Sequence, residues 1–146
     1  MKRPTLLEVG EWVLTSVVAL GCLTSLKNVW GLLSIPYQLN FVEGQALYPA
    51  SRALPVIVHQ YGPVNYYLGA GLLKWLGTSF APLRLMTVVS AVVIAGLVAL
   101  LLHQLTASWK LALSFGVFFL TLPLVQDWLA LARVDMPGVA LTLAGL

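Results

Sequence analysis

The sequence predicts an all-α fold, a polytopic bundle of transmembrane helices, and three observations support that prediction. Of the 146 residues, 60% are hydrophobic and 9% are charged, whereas about 25% of the residues in a typical soluble domain are charged. The mean hydropathy is +0.92. Long apolar runs recur along the chain, each bounded by polar or charged residues. A net charge of +3, carried by scattered side chains, does not provide a nucleic-acid surface.

The first apolar run covers residues 12–35 and predicts a membrane span. A basic start with Lys2 and Arg3 precedes it, which places the N-terminus in the cytoplasm by the positive-inside rule. Glu8 and Glu11 interrupt the sequence before the run, and the run is long for the core of a cleaved signal peptide. We therefore expect a retained anchor helix.

Residues 36–84 form the predicted first outer loop, which carries juxtamembrane helices. Pro63 suits a first helical turn and Gly77 suits the position after a last one, so the sequence predicts a helix over 63–76. Such a helix would be about 21 Å long, short of a hydrocarbon core about 30 Å thick. Its aromatic residues favour the membrane surface, so we expect an interfacial helix. A spanning helix is the alternative, and it would invert the topology that follows.

Three later runs predict further spans over residues 85–102, 111–126 and 136–146. The turn that carries Lys110 is then cytoplasmic, and Asp135 emerges on the same side as Glu43. A span requires about 20 residues, and the last run is shorter than that. We therefore expect the chain to be the N-terminal piece of a longer protein, and to be inactive by itself.

Two acids are candidates for catalysis. Glu43 is one of only five acidic residues, and burial at the membrane edge is expected to raise its pKa toward a range useful to a base. The alternative is that Glu43 only caps or solvates a turn. Asp135 stands shortly before Pro137, so it could cap the next helix, line a cavity at the mouth of a span, or do both.

Other side chains could bind substrate or metal. Arg52, Arg84 and Arg133 could each hold a lipid phosphate through bidentate hydrogen bonds, or anchor the chain among lipid headgroups. Tyr66 could stack on a sugar or belong to an aromatic belt. His59 could join the acids in a metal site, or be an ordinary hydrogen-bonded histidine. The sequence contains no P-loop, no G-x-S-x-G elbow and no H-E-x-x-H motif.

Four stretches follow one another in an order that is informative as a set. "EGQALYPASRAL" comes after the first span, then "HQYGPVNYYLGAGLLKWLG", then "LRLMTVVSAVV", then "LALARVDMPGV". This order resembles the N-terminal half of the GT-C membrane glycosyltransferases, over about residues 10–146. The pattern is similar to that of the protein O-mannosyltransferases and of the bacterial lipid A aminoarabinose transferases. In one respect the chain departs from it: Val42 stands where those families often have Asp.

The resemblance implies a GT-C-like bundle and a hexosyl- or pentosyltransferase of the plasma (inner) membrane. The enzyme would move a sugar from a polyprenyl-phosphate donor to a lipid, glycan or protein acceptor of the cell envelope. It also implies that Glu43 and Asp135 act as base or metal ligand on the outer face. Whether a divalent metal takes part stays open, and Val42 leaves open a relocated or lost activity. A transporter or flippase segment and a non-catalytic membrane subunit are the alternatives.

Overall fold

A computed structural model describes residues 6–39, 41–52, 63–129, 131–133 and 135–145. All regular structure in these ranges is helical, as the sequence predicts. The seven described helices are α1 (Leu6–Leu33), α2 (Phe41–Arg52), α3 (Pro63–Leu76), α4 (Phe80–Thr106), α5 (Trp109–Thr121), α6 (Pro123–Leu129) and α7 (Asp135–Ala144).

Two of the described helices are long and apolar enough to cross a membrane. The apolar part of α1, Trp12–Leu33, has 22 residues, and α4 has 27. At 1.5 Å per residue these lengths give about 33 and 40 Å, enough for a core about 30 Å thick. Their mean hydropathies are 1.4 and 2.8. The chain is therefore consistent with a membrane protein, and α4 extends beyond the predicted span at both ends.

The predicted span over residues 111–126 is broken in the structure. Helix α5 ends at Thr121, and α6 starts at Pro123 with a bend of 64° between their axes. Proline lacks the N–H that would continue the helix and disfavours helical geometry in the residue before it. Leu122 is accordingly extended, with φ −63° and ψ 131°. The two helices could together form a third, bent span.

Polar side chains cover backbone that this bend leaves open. The side-chain Nε2 of Gln126 donates a hydrogen bond to the carbonyl of Leu120 and another to the hydroxyl of Ser25 on α1. The Ser25 hydroxyl donates to the carbonyl of Gly21, 2.7 Å away. Since an unpaired carbonyl is costly in an apolar environment, these contacts give Ser25 and Gln126 a structural role at the bend.

Helices α4 and α5 form a tight hairpin. Ala107, in the left-handed region with φ 53°, ends α4, and Ser108 caps α5 by accepting a hydrogen bond from the amide of Leu111. The helices then approach so closely at Gly116 that a Cβ there would lie 2.6 Å from the carbonyl oxygen of Ala95. Glycine at this position therefore sets the separation of the two helices.

Helix α7 returns to pack on α4, and two apolar clusters hold the described helices together. The larger cluster joins α4, α6 and α7 and contains Ala91, Ile94, Val125, Leu129, Met136 and Ala140. The smaller cluster joins α2, α3 and the start of α4, and contains Ala46, Ala50, Leu73, Leu83 and Ala132. Ala132 belongs to the segment between α6 and α7, so that segment meets α2 and α4 at one end of the bundle.

Helix α3 has the bounds that the sequence predicts, Pro63–Leu76, and at 14 residues it is shorter than either candidate span. Gly77, with φ 91°, ends it, and the amide of Gly77 donates to the carbonyl of Leu73, 3.0 Å away. Gly69 lets α3 approach α2 and α4, because a Cβ there would lie 3.0 Å from the Leu83 side chain. Helix α3 therefore packs beside the first turns of α4.

Candidate functional site

Glu43 and Arg84 form a buried ion pair at the end of the bundle where α1 stops and α4 begins. Both side chains are 0% exposed. The Nε of Arg84 donates to Oε1 of Glu43 and one Nη donates to Oε2, each at 2.8 Å. Two parallel bonds between a guanidinium and a carboxylate fix both distance and orientation. Residues 41 positions apart in the sequence thus become one rigid unit.

The remaining N–H groups of Arg84 cap the end of α1. One Nη donates to the carbonyls of Leu32 and Ile35, at 2.7 and 2.8 Å, and the other donates to the carbonyl of Tyr37, at 2.9 Å. The last carbonyls of a helix have no partner within the helix. Arg84 supplies partners here, and all five of its N–H groups are thereby used.

The carboxylate of Glu43 has an equally complete set of partners. Besides the two bonds from Arg84, Oε2 accepts from the amide of Leu39 at 2.6 Å, and Oε1 accepts from the amide of Ala132 at 3.0 Å. A carboxylate offers about four acceptor positions, so none is left over. In this geometry Glu43 could take a proton from a substrate, or bind a metal, only after one of these bonds breaks.

The expectation of a raised pKa for Glu43 is wrong. Burial does raise the pKa of this carboxyl, but the hydrogen bonds from Arg84, Leu39 and Ala132 and the charge of Arg84 lower it further, so the pKa lies below its ordinary value. Donors aimed at the charged form favour that form. Glu43 is therefore a firmly ionised carboxylate, a weak base for catalysis.

Thr87, one turn beyond Arg84 on α4, holds the backbone of Arg133. The Thr87 hydroxyl accepts from the Arg133 amide at 3.3 Å, and its one hydrogen is shared between the Arg133 carbonyl at 3.3 Å and the Leu83 carbonyl of its own helix at 3.4 Å. Thr87 is fully buried. Together with the bond from Ala132 to Glu43, these contacts fix the short non-helical segment 131–133 against α4.

The side chain of Arg133 extends from this fixed backbone toward Trp128 and Asp135. Its guanidinium carbon lies 4.0 Å from the centre of the Trp128 ring, a cation–π contact. Its Nε lies 3.1 Å from Oδ2 of Asp135, an ion pair whose angles do not make a hydrogen bond. The side chains are 24% and 39% exposed. This pair, unlike the buried one, has hydrogen-bonding capacity left for another molecule.

Asp135 also lines a shallow, open groove along one face of α7, and every lining residue belongs to this helix. Its other lining residues are Gly138, Val139, Thr142 and Leu143. The groove is mainly apolar, with the Asp135 carboxylate beside it and the Thr142 hydroxyl bonded to the Gly138 carbonyl at 2.9 Å. Asp135 lies in the first turn of α7, where the helix dipole favours a negative charge.

The structure brings four of the predicted site residues to one end of the bundle. Glu43, Arg84, Arg133 and Asp135 lie there, although the first and last are far apart in the sequence. Glu43 and Asp135 thus share an end of α4, and the α4–α5 turn lies at its other end. Arg84 is buried against Glu43 and has no free donor for a lipid phosphate.

The other candidates do not join this group in the part of the chain that is described. Tyr66 is buried on α3, 5% exposed, so it offers no open ring face to a sugar. The side chain of Arg52 and all of His59 lie outside the described residues. Among the described residues, no three of His, Cys, Asp and Glu gather in a way that could hold a metal ion.

Sequence reasoning missed Thr87 and Trp128. The sequence did contain a signal for the ion pair. Arg84 stands directly before a long apolar run, and an arginine buried in such a place is expected to pair with a carboxylate or with backbone carbonyls. Thr87 follows Arg84 by three residues and so lies on the same face of the helix. Nothing in the sequence indicated that it would contact a residue 46 positions away.

Comparison of the chain with protein-family models, with curated proteins and with solved structures finds no match.

Proposed function

We propose that this chain forms the N-terminal part of a GT-C-type membrane glycosyltransferase. Its reaction would transfer a sugar from a polyprenyl-phosphate donor to a cell-envelope acceptor on the outer face of the membrane. One observation carries the proposal. Glu43, Arg84 and Arg133, which come from three of the four stretches that carry the resemblance, belong to one hydrogen-bonded cluster.

The reaction requires little chemistry from the protein. An acceptor oxygen or nitrogen attacks the anomeric carbon of the sugar, the bond from that carbon to the phosphate oxygen breaks, and polyprenyl phosphate leaves with the bonding electrons. The acceptor loses its proton to a base, and the departing phosphate gains negative charge that a cation stabilises. One carboxylate and one cation beside a groove therefore suffice.

Asp135 and Arg133 are the groups that suit these roles. Asp135 is a partly exposed carboxylate beside an open groove, so it can receive the acceptor proton. Arg133 is partly exposed, and among the described residues neither of its Nη groups makes a hydrogen bond; a guanidinium binds phosphate oxygens in pairs. Glu43 and Arg84 are not assigned to the reaction, because their hydrogen-bonding groups are already used.

The test measures release of polyprenyl phosphate, the product common to every sugar. The complete protein in lipid nanodiscs would be given undecaprenyl-phosphate mannose, glucose, galactose and aminoarabinose, each with an envelope extract as acceptor. We expect release with one donor, and a loss of about 10²- to 10⁴-fold in Asp135→Asn. No release with any donor, or full activity of Asp135→Asn, would contradict the proposal or its assignment of the base.

A flippase is the second candidate, and the bend between α5 and α6 is the observation that favours it. Transporters commonly break helices within the membrane and line the break with polar groups, as Ser25 and Gln126 do here. The same nanodisc protein, moved into vesicles, distinguishes the two functions. A flippase would move a fluorescent lipid-linked sugar across the bilayer without cleaving it.

A further inference from the structure

We infer that Glu43 and Thr87 are positioning residues, which hold the 131–133 segment so that the Arg133 guanidinium lies beside Asp135, the acid that lines the groove. The role of these residues in catalysis rests on the proposed function, whereas their contacts with the 131–133 segment do not depend on it. The sequence pattern assigns Glu43 a direct role in the reaction. The hydrogen bonds give it an indirect one, and they give Thr87 a role that the pattern does not contain.

The 131–133 segment has little structure of its own. It lies between α6 and α7, and the amide of Arg133 donates to the carbonyl of Leu131 at 2.8 Å as the local contact of a tight turn. Its other anchors come from distant residues. Glu43, on α2, accepts from the amide of Ala132. Thr87, on α4, shares the Arg133 amide with the Leu131 carbonyl, and its hydroxyl lies 3.3 Å from the Arg133 carbonyl.

These anchors determine where the reactive groups lie. Because the backbone of Arg133 is fixed against α4, its side chain reaches Trp128 on one side and Asp135 on the other. Reacting groups need to lie within about half an ångström of a productive position, and residues that fix them act through the backbone or through hydrogen bonds to it. Glu43 can hold the Ala132 amide in place only while Arg84 orients the Glu43 carboxylate.

Thr87 allows a clean test, since its hydroxyl can be removed while the ion pair stays intact. Thr87→Val keeps the shape and loses the hydroxyl, and Thr87→Ser keeps the hydroxyl. Ser90→Ala is the matched control: Ser90 is also buried on α4, but its hydroxyl donates only within its own helix, to the carbonyl of Met86 at 2.8 Å. A double variant, Glu43→Leu with Arg84→Met, removes the anchor of Ala132, and removing both charges together leaves neither one unpaired.

The first measurement is amide hydrogen exchange over residues 131–133 in the complete protein in nanodiscs. We expect exchange about five- to tenfold faster in Thr87→Val and in the double variant, the change that loss of one hydrogen bond gives. Thr87→Ser and Ser90→Ala should exchange like the parent. Unchanged exchange in Thr87→Val, or equal acceleration in Ser90→Ala, would overturn the inference.

The second measurement is polyprenyl phosphate release by the same variants. We expect kcat to fall about 10²-fold in Thr87→Val, with recovery in Thr87→Ser and no change in Ser90→Ala. An unchanged kcat in Thr87→Val would overturn the positioning role in catalysis. If the parent itself releases no product, the proposed function fails instead, and amide exchange still decides whether the two residues hold the segment.

Discussion

The two arginine–carboxylate pairs use the same chemical groups in opposite ways. Glu43 and Arg84 are fully buried, meet through two bonds of 2.8 Å, and use all their remaining hydrogen-bonding capacity on backbone groups. Arg133 and Asp135 are partly exposed and meet through one ion contact without a hydrogen bond. The first pair joins α1, α2 and α4 and stabilises the fold. The second pair is partly exposed and can still form hydrogen bonds with another molecule.

The comparison shows that residue type and location at a membrane edge do not decide a role. Both carboxylates are predicted to be catalytic on the same grounds. What separates them, among the described residues, is the number of donors that contact each one: four at Glu43, and the Arg133 guanidinium at Asp135. A carboxylate whose acceptor positions are all filled, like that of Glu43, must lose a hydrogen bond before it can bind another molecule. A partly exposed carboxylate, like that of Asp135, can bind one directly.

Exchanging the two charges of a pair should separate the pairs most strongly. Glu43→Arg with Arg84→Glu places a carboxylate against the carbonyls of Leu32, Ile35 and Tyr37, so we expect a loss beyond the about 3–5 kcal/mol of a broken buried pair. The same exchange of Arg133 and Asp135 should cost about 1 kcal/mol or less. Equilibrium unfolding in mixed micelles measures both, and a well-folded Glu43→Arg/Arg84→Glu protein would refute the account of Arg84 as a cap.

Removing one carboxylate at a time gives the next largest difference. Glu43→Gln leaves the Arg84 charge buried without an ionic partner, and we expect a loss of about 3–5 kcal/mol. Asp135→Asn should change the free energy of unfolding by about 1 kcal/mol or less, because water still reaches Arg133. Similar losses in the two variants, measured by the same unfolding assay, would mean that the pairs do not differ as described.

Acid should reveal the smaller effect of protonating Glu43. The pKa of Glu43 is lower in the folded chain than its ordinary value of 4.5. The stabilisation is therefore complete above that ordinary value and is lost as pH falls through the folded pKa. We expect a thermal midpoint that changes little from pH 7 to about 5 and declines below about 4. In the Glu43→Leu/Arg84→Met protein this decline should be weaker; an equal decline would assign it to other carboxyls.

The positions of several helices could be predicted from local signals. Pro63 and Gly77 delimit α3, because proline suits a first turn and glycine accepts the positive φ that ends a helix. The apolar run after Arg84 predicts the long helix α4. In contrast, the sequence predicts one span over residues 111–126, and in the structure Pro123 starts a new helix at 64° to the first. A proline marks a break, but the direction after it depends on what α6 packs against.

The sequence by itself determined the all-helical class that is compatible with a membrane. Long apolar runs with few charges suit the interior of a membrane, and a helix there satisfies its backbone hydrogen bonds within its own segment. It also identified Glu43 and Asp135 as the acids to examine. Only the tertiary structure decided their difference. Arg84, Leu39 and Ala132 reach Glu43 from separate segments, and no local pattern records which distant donors converge on a carboxylate. Of these two acids, Asp135, at the start of α7, is therefore the one that another molecule can reach.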